Sequence, residues 1–231
     1  MARDGVTLCL GMLTITFLVW AIYLFDQRMI YLIAGIAGAI LTIFFFSFFR
    51  DPKRNIPAGE NILVAPADGK IVAIKKLDSQ PFLNSSAVQI SIFLSPLDVH
   101  INRIPTSGII AYVQYKKGSF RAAYKDSASE ENEQTEIGLI TDNGNMLVFK
   151  QIAGHLARRI VCRLKKDQKV FTGEKFGMIK FGSRTDLIVP ADTEIDVKLE
   201  QQVTGGETII GRLNPVTSQS SAAVSSTQTD A

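Results

Sequence analysis

Histidine and cysteine are scarce in this chain of 231 residues, with two of each. Cys9 falls in an apolar run and Cys162 lies far from it, so a disulfide framework is excluded. Two histidines and two distant cysteines also speak against a zinc site. The net charge is a mild +3, and no nucleic-acid-binding motif accompanies it, so nucleic acid is a poor partner. The most telling absence is local. Gly5 to Phe25 and Met29 to Phe49 are runs of 21 residues each without one charged side chain.

Each run matches the roughly 20 residues that a helix needs to cross a bilayer. A cleaved signal peptide would give one such run with a small-residue cleavage site after it, and this chain has two runs and no such site. Only Asp26-Gln27-Arg28 separates them, which allows nothing but a tight helical hairpin with both ends on one side. Arg3 precedes the hairpin, and Arg50, Lys53 and Arg54 follow it. Positive-inside bias therefore puts both ends, and everything after residue 50, in the cytoplasm against the cell (inner) membrane.

Basic residues bunch at Arg158, Arg159, Arg163, Lys165, Lys166 and Lys169, and more loosely at Lys116, Lys117, Arg121 and Lys125. They read either as a solvated face or as a contact for anionic headgroups. After a short stiff linker with Pro52 and Pro57, the remainder reads as mainly β. Ile62–Val64 and Ile71–Ile74 flank Asp68-Gly69 as a hairpin. Val88–Leu94 alternates as a half-buried strand and ends in the turn Ser95-Pro96-Leu97-Asp98. Ile109–Tyr115 is another strand, and the acidic stretch 126–136 reads as a loop. Ile137–Thr141 and Met146–Ile152 form a hairpin about Asp142-Asn143-Gly144-Asn145. His155 to Cys162 fits a short helix or a strand. Phe176–Lys180 and Leu187–Val189 read as strands, as does Thr193–Leu199. Ser, Thr and Ala dominate the end of the chain without apolar period, so residues 216–231 are expected to be disordered. The fold class is a mainly β soluble domain (51–215) preceded by a two-helix transmembrane hairpin (1–50, helices about 5–25 and 29–49).

One dipeptide joins the last strands: Gly182-Ser183, within Lys180-Phe181-Gly182-Ser183-Arg184-Thr185-Asp186. Such pairs usually mark turns. They also meet the plainest requirement for self-cleavage. Gly182 leaves its carbonyl open to attack. The Ser183 hydroxyl can convert that amide to an ester. Elimination across Ser183 then breaks the ester, and hydrolysis of the dehydroalanine leaves a ketone.

Four stretches in order resemble phosphatidylserine decarboxylases in their short microbial form. They are Phe49-Arg50-Asp51-Pro52, Pro66-Ala67-Asp68-Gly69-Lys70-Ile71, Phe93 through Pro105, and Phe181-Gly182-Ser183-Arg184. Gln151-Ile152-Ala153-Gly154 and Ala157 through Cys162 are similar to that family too, so the likeness spans about residues 49 to 190. The resemblance implies a proenzyme cut between Gly182 and Ser183. Its β-chain (1–182) and α-chain (183–231) would stay associated. Ser183 would become a pyruvoyl group that forms a Schiff base with a serine phospholipid, releases CO2 and yields the ethanolamine lipid. Neither metal nor pyridoxal phosphate is implied, and homo-oligomerisation stays open.

Roles follow by position. Asp68 matches the aspartate that orients a histidine beside the serine, although by itself it reads as a turn-former. His100 matches a histidine that protonates the substrate carbanion. Longer members carry a second histidine three residues on. Here that position is Arg103, which stays charged and cannot be a base near neutral pH. His100 would then serve both steps, and Arg103 would bind a carboxylate or phosphate. His155 has no matching family histidine and reads as structural. Glu131-Asn132-Glu133 partly resembles a further family segment, with no role assigned. Two rivals remain: a membrane-tethered biotinyl- or lipoyl-like carrier using Lys70, and a family member without activity.

Overall fold

The computed structural model describes residues 2, 5–119, 121, 128–154, 160–179 and 183–215. Of the 155–162 stretch expected as a short helix or a strand, Ile160–Cys162 is strand and 155–159 lies outside these described residues, as does the tail over 216–231.

Two apolar helices come first, α1 (Val6–Phe25) and α2 (Met29–Phe48). Small residues let them pack closely. An added Cβ on Gly35 would meet the Trp20 ring, and one on Gly38 would meet Thr16. The Thr16 and Thr42 hydroxyls hydrogen-bond across the seam at 3.0 Å. The hairpin closes at its root, where the Ala2 amide donates to the Phe49 carbonyl at 2.8 Å. Both helices are long and apolar enough to cross a membrane. Phe17, Leu24, Met29, Ile30 and Ile43 on their outer surfaces are exposed, which a buried core helix would not allow.

The rest is mainly β. In chain order the strands are β1 (Ile62–Val64), β2 (Gly69–Gln80), β3 (Ser85–Leu94), β4 (Ile101–Arg103) and β5 (Gly108–Lys116). A one-turn helix α3 (Ala128–Glu131) precedes β6 (Gln134–Ile140), β7 (Met146–Ala153), β8 (Ile160–Cys162), β9 (Lys169–Val170) and β10 (Lys175–Ile179). Last come β11 (Ser183–Pro190), β12 (Glu194–Ile195), β13 (Gln202–Val203) and β14 (Ile209–Arg212). Eight strands form one antiparallel sheet in the order β13-β2-β3-β11-β7-β6-β5-β9. Two three-stranded sheets, β1-β14-β12 and β4-β10-β8, complete the domain. The period of two along each strand assigns the faces. Ile90, Ile92, Phe149, Leu187 and Val189 enter the main core with Leu63, Ile104, Phe176 and Ile210. Val88 joins them, while its neighbour Ala87 points to the opposite cluster, so β3 alternates from its start. Val148 and Ile188 face the other way into a small second cluster.

Several expected elements form as read. The turn after β3 is closed by the Asp98 amide donating to the Ser95 carbonyl, 2.9 Å. The β6–β7 hairpin turns at Gly144, whose φ is +82°. Others differ. The expected hairpin about Asp68-Gly69 is not made: β1 pairs with β14, and β2 with β3 and β13. Loop 204–208 captures the intervening segment instead. The Ala65 amide donates to the Thr208 carbonyl at 2.9 Å, and the Gly206 amide to the Ala65 carbonyl at 2.8 Å. Of the late strand expected at Thr193–Leu199, only Glu194–Ile195 pairs, against β14. Within the acidic stretch, α3 and the start of β6 replace loop. The linker is stiff because it is pinned. Asp51 meets Lys175 at 2.6 Å, Arg54 meets Asp68 at 2.7 Å, and the Asn55 amide donates to Glu207 at 2.7 Å.

Gly69 is indispensable by sterics rather than as a hairpin residue. Its φ is +148°, and a Cβ there would lie 2.2 Å from the Phe93 carbonyl oxygen. Gly69→Ala should destabilise the domain by about 1–3 kcal/mol, lowering the Tm by several degrees in thermal unfolding followed by circular dichroism.

Candidate active site

Three strand ends converge near the root of the hairpin. β10 ends at Ile179, whose amide donates to the His100 carbonyl at 3.4 Å. β11 begins at Ser183, which pairs with Leu94 of β3 on one side and Ala153 of β7 on the other. The chain from Leu94 runs through the Ser95–Asp98 turn directly to His100. Residues 180–182, Gly182 included, lie outside the described residues. The segment they form joins a residue bonded to His100 with a residue paired to Leu94. Four chain steps reach at most about 14 Å, so Ser183 is confined to the neighbourhood of the histidine loop.

Both side chains carry an unsatisfied buried atom. Ser183 and His100 are each fully buried, and Ser183 Oγ and His100 Nε2 have no hydrogen-bond partner among the described residues. An orphan buried polar atom costs about 1–3 kcal/mol, so each calls for a use. The other ring nitrogen is committed. His100 Nδ1 lies 2.9 Å from the Asp98 carbonyl oxygen. A carbonyl only accepts, so Nδ1 carries the hydrogen and Nε2 keeps its lone pair. Burial first, with the neighbouring Arg50 charge and against the Asp98 carbonyl, holds the His100 pKa down at about 4. The Phe48 ring stacks on the imidazole, with centroids 4.2 Å apart and planes tilted by 34°. A cation–π attraction of about 0.5–2 kcal/mol would favour the charged form, but full burial outweighs it. The imidazole is therefore neutral, dry and oriented.

β11 supports this centre with four consecutive buried polar residues, Ser183, Arg184, Thr185 and Asp186. On the Ser183 face, Gln151 donates to Asn102 Oδ1 at 2.8 Å, and Asn102 donates to Thr185 at 3.4 Å. On the opposite face Arg184 pairs with Asp186 at 2.6 Å and donates to Ser91 at 2.6 Å. Ser129 donates to Asp186 at 2.8 Å.

Known proteins give this arrangement its context. The family model for phosphatidylserine decarboxylase matches residues 41–211. The chain belongs to the phosphatidylserine decarboxylase family. A "phosphatidylserine decarboxylase proenzyme" of Chlorobium phaeovibrioides is 50% identical over 179 residues, covering 78% of this chain and 81% of that one. The proteins of the same name from Salinibacter ruber and Symbiobacterium thermophilum are 46% and 42% identical. The former alignment covers 80% of this chain and 86% of the relative, the latter 78% and 83%. This family of carboxy-lyases makes the chain an enzyme by membership.

Two assigned residues have other partners in this structure. Asp68 does not hold His100. Its carboxylate accepts from Arg54 at 2.7 and 2.9 Å and from the Gly205 amide at 2.9 Å. The Asp98 carbonyl takes the orienting position instead. The cause is the missing hairpin, which leaves Asp68 facing the linker and loop 204–208. Arg103 is buried, donates to the Gly173 carbonyl at 2.9 Å and lies 3.9 Å from Asp51. It braces the linker in this geometry. Lys70, the carrier candidate, is within β2 and ion-paired to Glu200, not at a hairpin tip. Among the described residues, no group of three His, Cys, Asp or Glu side chains is placed to hold a metal.

Asn132 went unassigned from sequence, yet it is fully buried and satisfied. It donates to the Ala153 carbonyl at 2.7 Å and the Arg121 carbonyl at 2.8 Å, and accepts from the Arg121 amide at 2.9 Å. It ties the chain before β6 to the strand beside Ser183. The only signal was its place in the partly matching Glu131-Asn132-Glu133.

The His100 shift sets a pH dependence of stability. Above pH 6.5 folded and unfolded chains both leave this ring neutral. Between 6.5 and about 4 the unfolded chain binds a proton that the fold refuses, so stability falls as pH falls through that window. The loss is of the order of 3 kcal/mol. Denaturant unfolding of His100→Asn should show a shallower decline over this window than the parent.

Proposed function

We propose that this protein is a membrane-anchored phosphatidylserine decarboxylase that cuts its own backbone between Gly182 and Ser183. Family membership and the word "proenzyme" in the names of its relatives support a maturing precursor. The observation that carries the reading is the pair of buried, unpartnered atoms, Ser183 Oγ and His100 Nε2, at the two ends of one strand–loop junction.

His100 Nε2 is the base that takes the Ser183 hydroxyl proton. With its pKa held near 4, the ring is free to accept throughout the neutral range. Ser183 Oγ then attacks the Gly182 carbonyl, the amide C–N bond breaks, and an ester forms. Loss of the Ser183 α-proton expels Gly182 as a carboxylate and leaves dehydroalanine, which water converts to a ketone with release of ammonia. The resulting pyruvoyl group supplies a carbonyl that can bind a substrate amine and take up the electrons freed with CO2. The surroundings suit it: Ala153 and Ile179 form a dry apolar contact beside Ser183, and Thr185, Asn102 and Gln151 fix the strand behind it. His100 Nε2 also serves to return a proton to the substrate carbon. Asp68, clamped by Arg54, secures the linker that carries the anchor, and Arg103 braces the same linker.

The cut would not separate the chains. Ser183 to Pro190 pairs residue for residue with Leu94 to Ala87, and its first six residues pair with Ala153 to Val148. The product strand is held between two strands of the larger chain. Residues 1–50 form the membrane anchor and 51–215 the decarboxylase domain. The outward-facing apolar surface of α1 and α2 supports bilayer insertion. The cations after α2 support a cytoplasmic domain, and a phospholipid substrate reaches the site from the membrane at the hairpin root.

Denaturing electrophoresis with mass spectrometry tests the reading. Fragments of 182 and 49 residues are expected, the smaller beginning at residue 183 with a blocked, ketone-bearing end. A carrier would stay intact and gain mass on Lys70, and an inactive relative would stay intact and unmodified. Ser183→Ala should leave one uncut chain that releases no CO2 from phosphatidylserine, and cleavage persisting there would remove Ser183 as nucleophile. His100→Ala should block cleavage or reduce turnover by about 10²–10⁴-fold. Normal behaviour in both assays would exclude His100.

A further inference from the structure

The last residue of α2 touches the histidine of the proposed site. Phe48 is 1% exposed, Phe49 and His100 are fully buried, and the Phe48 and His100 rings stack at 4.2 Å. Phe48 also stands edge-on to Phe49, with centroids 5.0 Å apart. One apolar cluster joins Ala2 and Cys9 from the first helix's end, Phe48 and Phe49 from the second, Val99 and Ile101 flanking His100, and Met178 of β10. No room is left in it, since a Cβ on Gly5 would fall 2.1 Å from the Phe49 ring. Arg50 extends the connection by donating to the Leu97 carbonyl at 2.8 Å, within the turn that leads to His100.

We propose that Phe48 is a positioning residue, whose ring at the base of the apolar hairpin fixes the plane of the His100 imidazole and keeps water from its Nε2 edge. The anchor is then part of the active-site wall as well as a tether. Two contacts define the ring. The Asp98 carbonyl holds Nδ1 in the plane, and Phe48 covers one face. With the in-plane bond alone, the imidazole could still rotate about that axis. The charged groups acting on this ring are few. Arg50 follows α2 and disfavours the imidazolium, and the Asp98 carboxyl is engaged by the Ser95 amide at 2.8 Å. Asp68 acts on Asp98 rather than on His100 directly. Loss of the ring should therefore read out as hydration of His100.

The proposal rests on the self-cleavage reading for its catalytic meaning, and its test separates the two. The full-length Ser183→Ala precursor, uncut, is placed in phospholipid nanodiscs. The His100 Cε1–H resonance is assigned by its loss in His100→Gln and followed by NMR from pH 4 to 8. Phe48→Leu keeps an apolar side chain of similar bulk, Phe48→Tyr keeps the flat ring, and Phe46→Leu alters a half-exposed neighbour on the same helix. We expect Phe48→Leu to raise the His100 midpoint by about one pH unit or more toward its ordinary value. Phe48→Tyr and Phe46→Leu should stay near the parent. With Ser183 restored, the acidic limb of the cleavage rate against pH should move by the same interval in Phe48→Leu. An unchanged His100 midpoint in Phe48→Leu overturns the proposal, as does an equal shift in Phe46→Leu. A midpoint that moves while the cleavage limb does not supports Phe48 as the residue that positions the ring, and removes His100 from self-cleavage instead.

Discussion

A central strand that opens on four buried polar residues is the constraint on which this structure depends. β11 lies between β3 and β7, so each of its first six residues has a neighbour in register on both sides, and every side chain from Ser183 to Leu187 is covered. Arg184 and Asp186 tolerate burial because they hold each other and two serines. Removing one member of such a buried pair typically costs about 3–5 kcal/mol. Thr185 has Asn102 and Gln151 behind it. Ser183 alone in the run has no partner for its side chain among the described residues. The neighbours are satisfied so firmly that the strand has no freedom to rearrange and relieve it.

The histidine loop obeys the same logic from the other side. One imidazole nitrogen is tied to a main-chain carbonyl, which no titration removes, and the other is dry and unoccupied. A carboxylate in place of the carbonyl would favour the charged ring. The arrangement found here keeps it neutral, so that its basic nitrogen is available at ordinary pH. Asp68, by contrast, spends its charge on Arg54, and with Glu207, Asp51, Arg103 and Lys175 it builds an ionic collar around the linker below the hairpin.

Much of this was legible in the sequence, and the failures have a common cause. The apolar helices, the β3 strand with its turn and the β6–β7 hairpin were written in local patterns of charge, period and turn residues. What misled was the Asp68-Gly69 pair. As a local signal it dictates a hairpin, yet loop 204–208, some 140 positions away, supplies better partners. Asp68, expected to orient the histidine, is engaged by Arg54 and the Gly205 amide for the same reason. The contacts of Arg103 with Asp51 and the Gly173 carbonyl were not legible, since neither partner lies in its own sequence neighbourhood. Asn132 and Phe48 were missed for the opposite reason. One is an ordinary asparagine in an acidic stretch, the other one phenylalanine among many in an apolar run. Their importance lies in what the fold brings against them.

The place of β11 in the middle of the sheet carries a consequence for the life history of the molecule. In the uncut chain the strand is threaded into position as part of one polymer, an intramolecular event governed by loop closure. After the proposed cut the identical contacts would join two separate molecules, and a denatured sample would have to reassemble them by collision, against competition from aggregation. The uncut chain would thus be the form with a ready route to the native state. A cut protein of this build would persist through slow unravelling rather than ready reversibility, like a joint glued only after its pieces have been slid together.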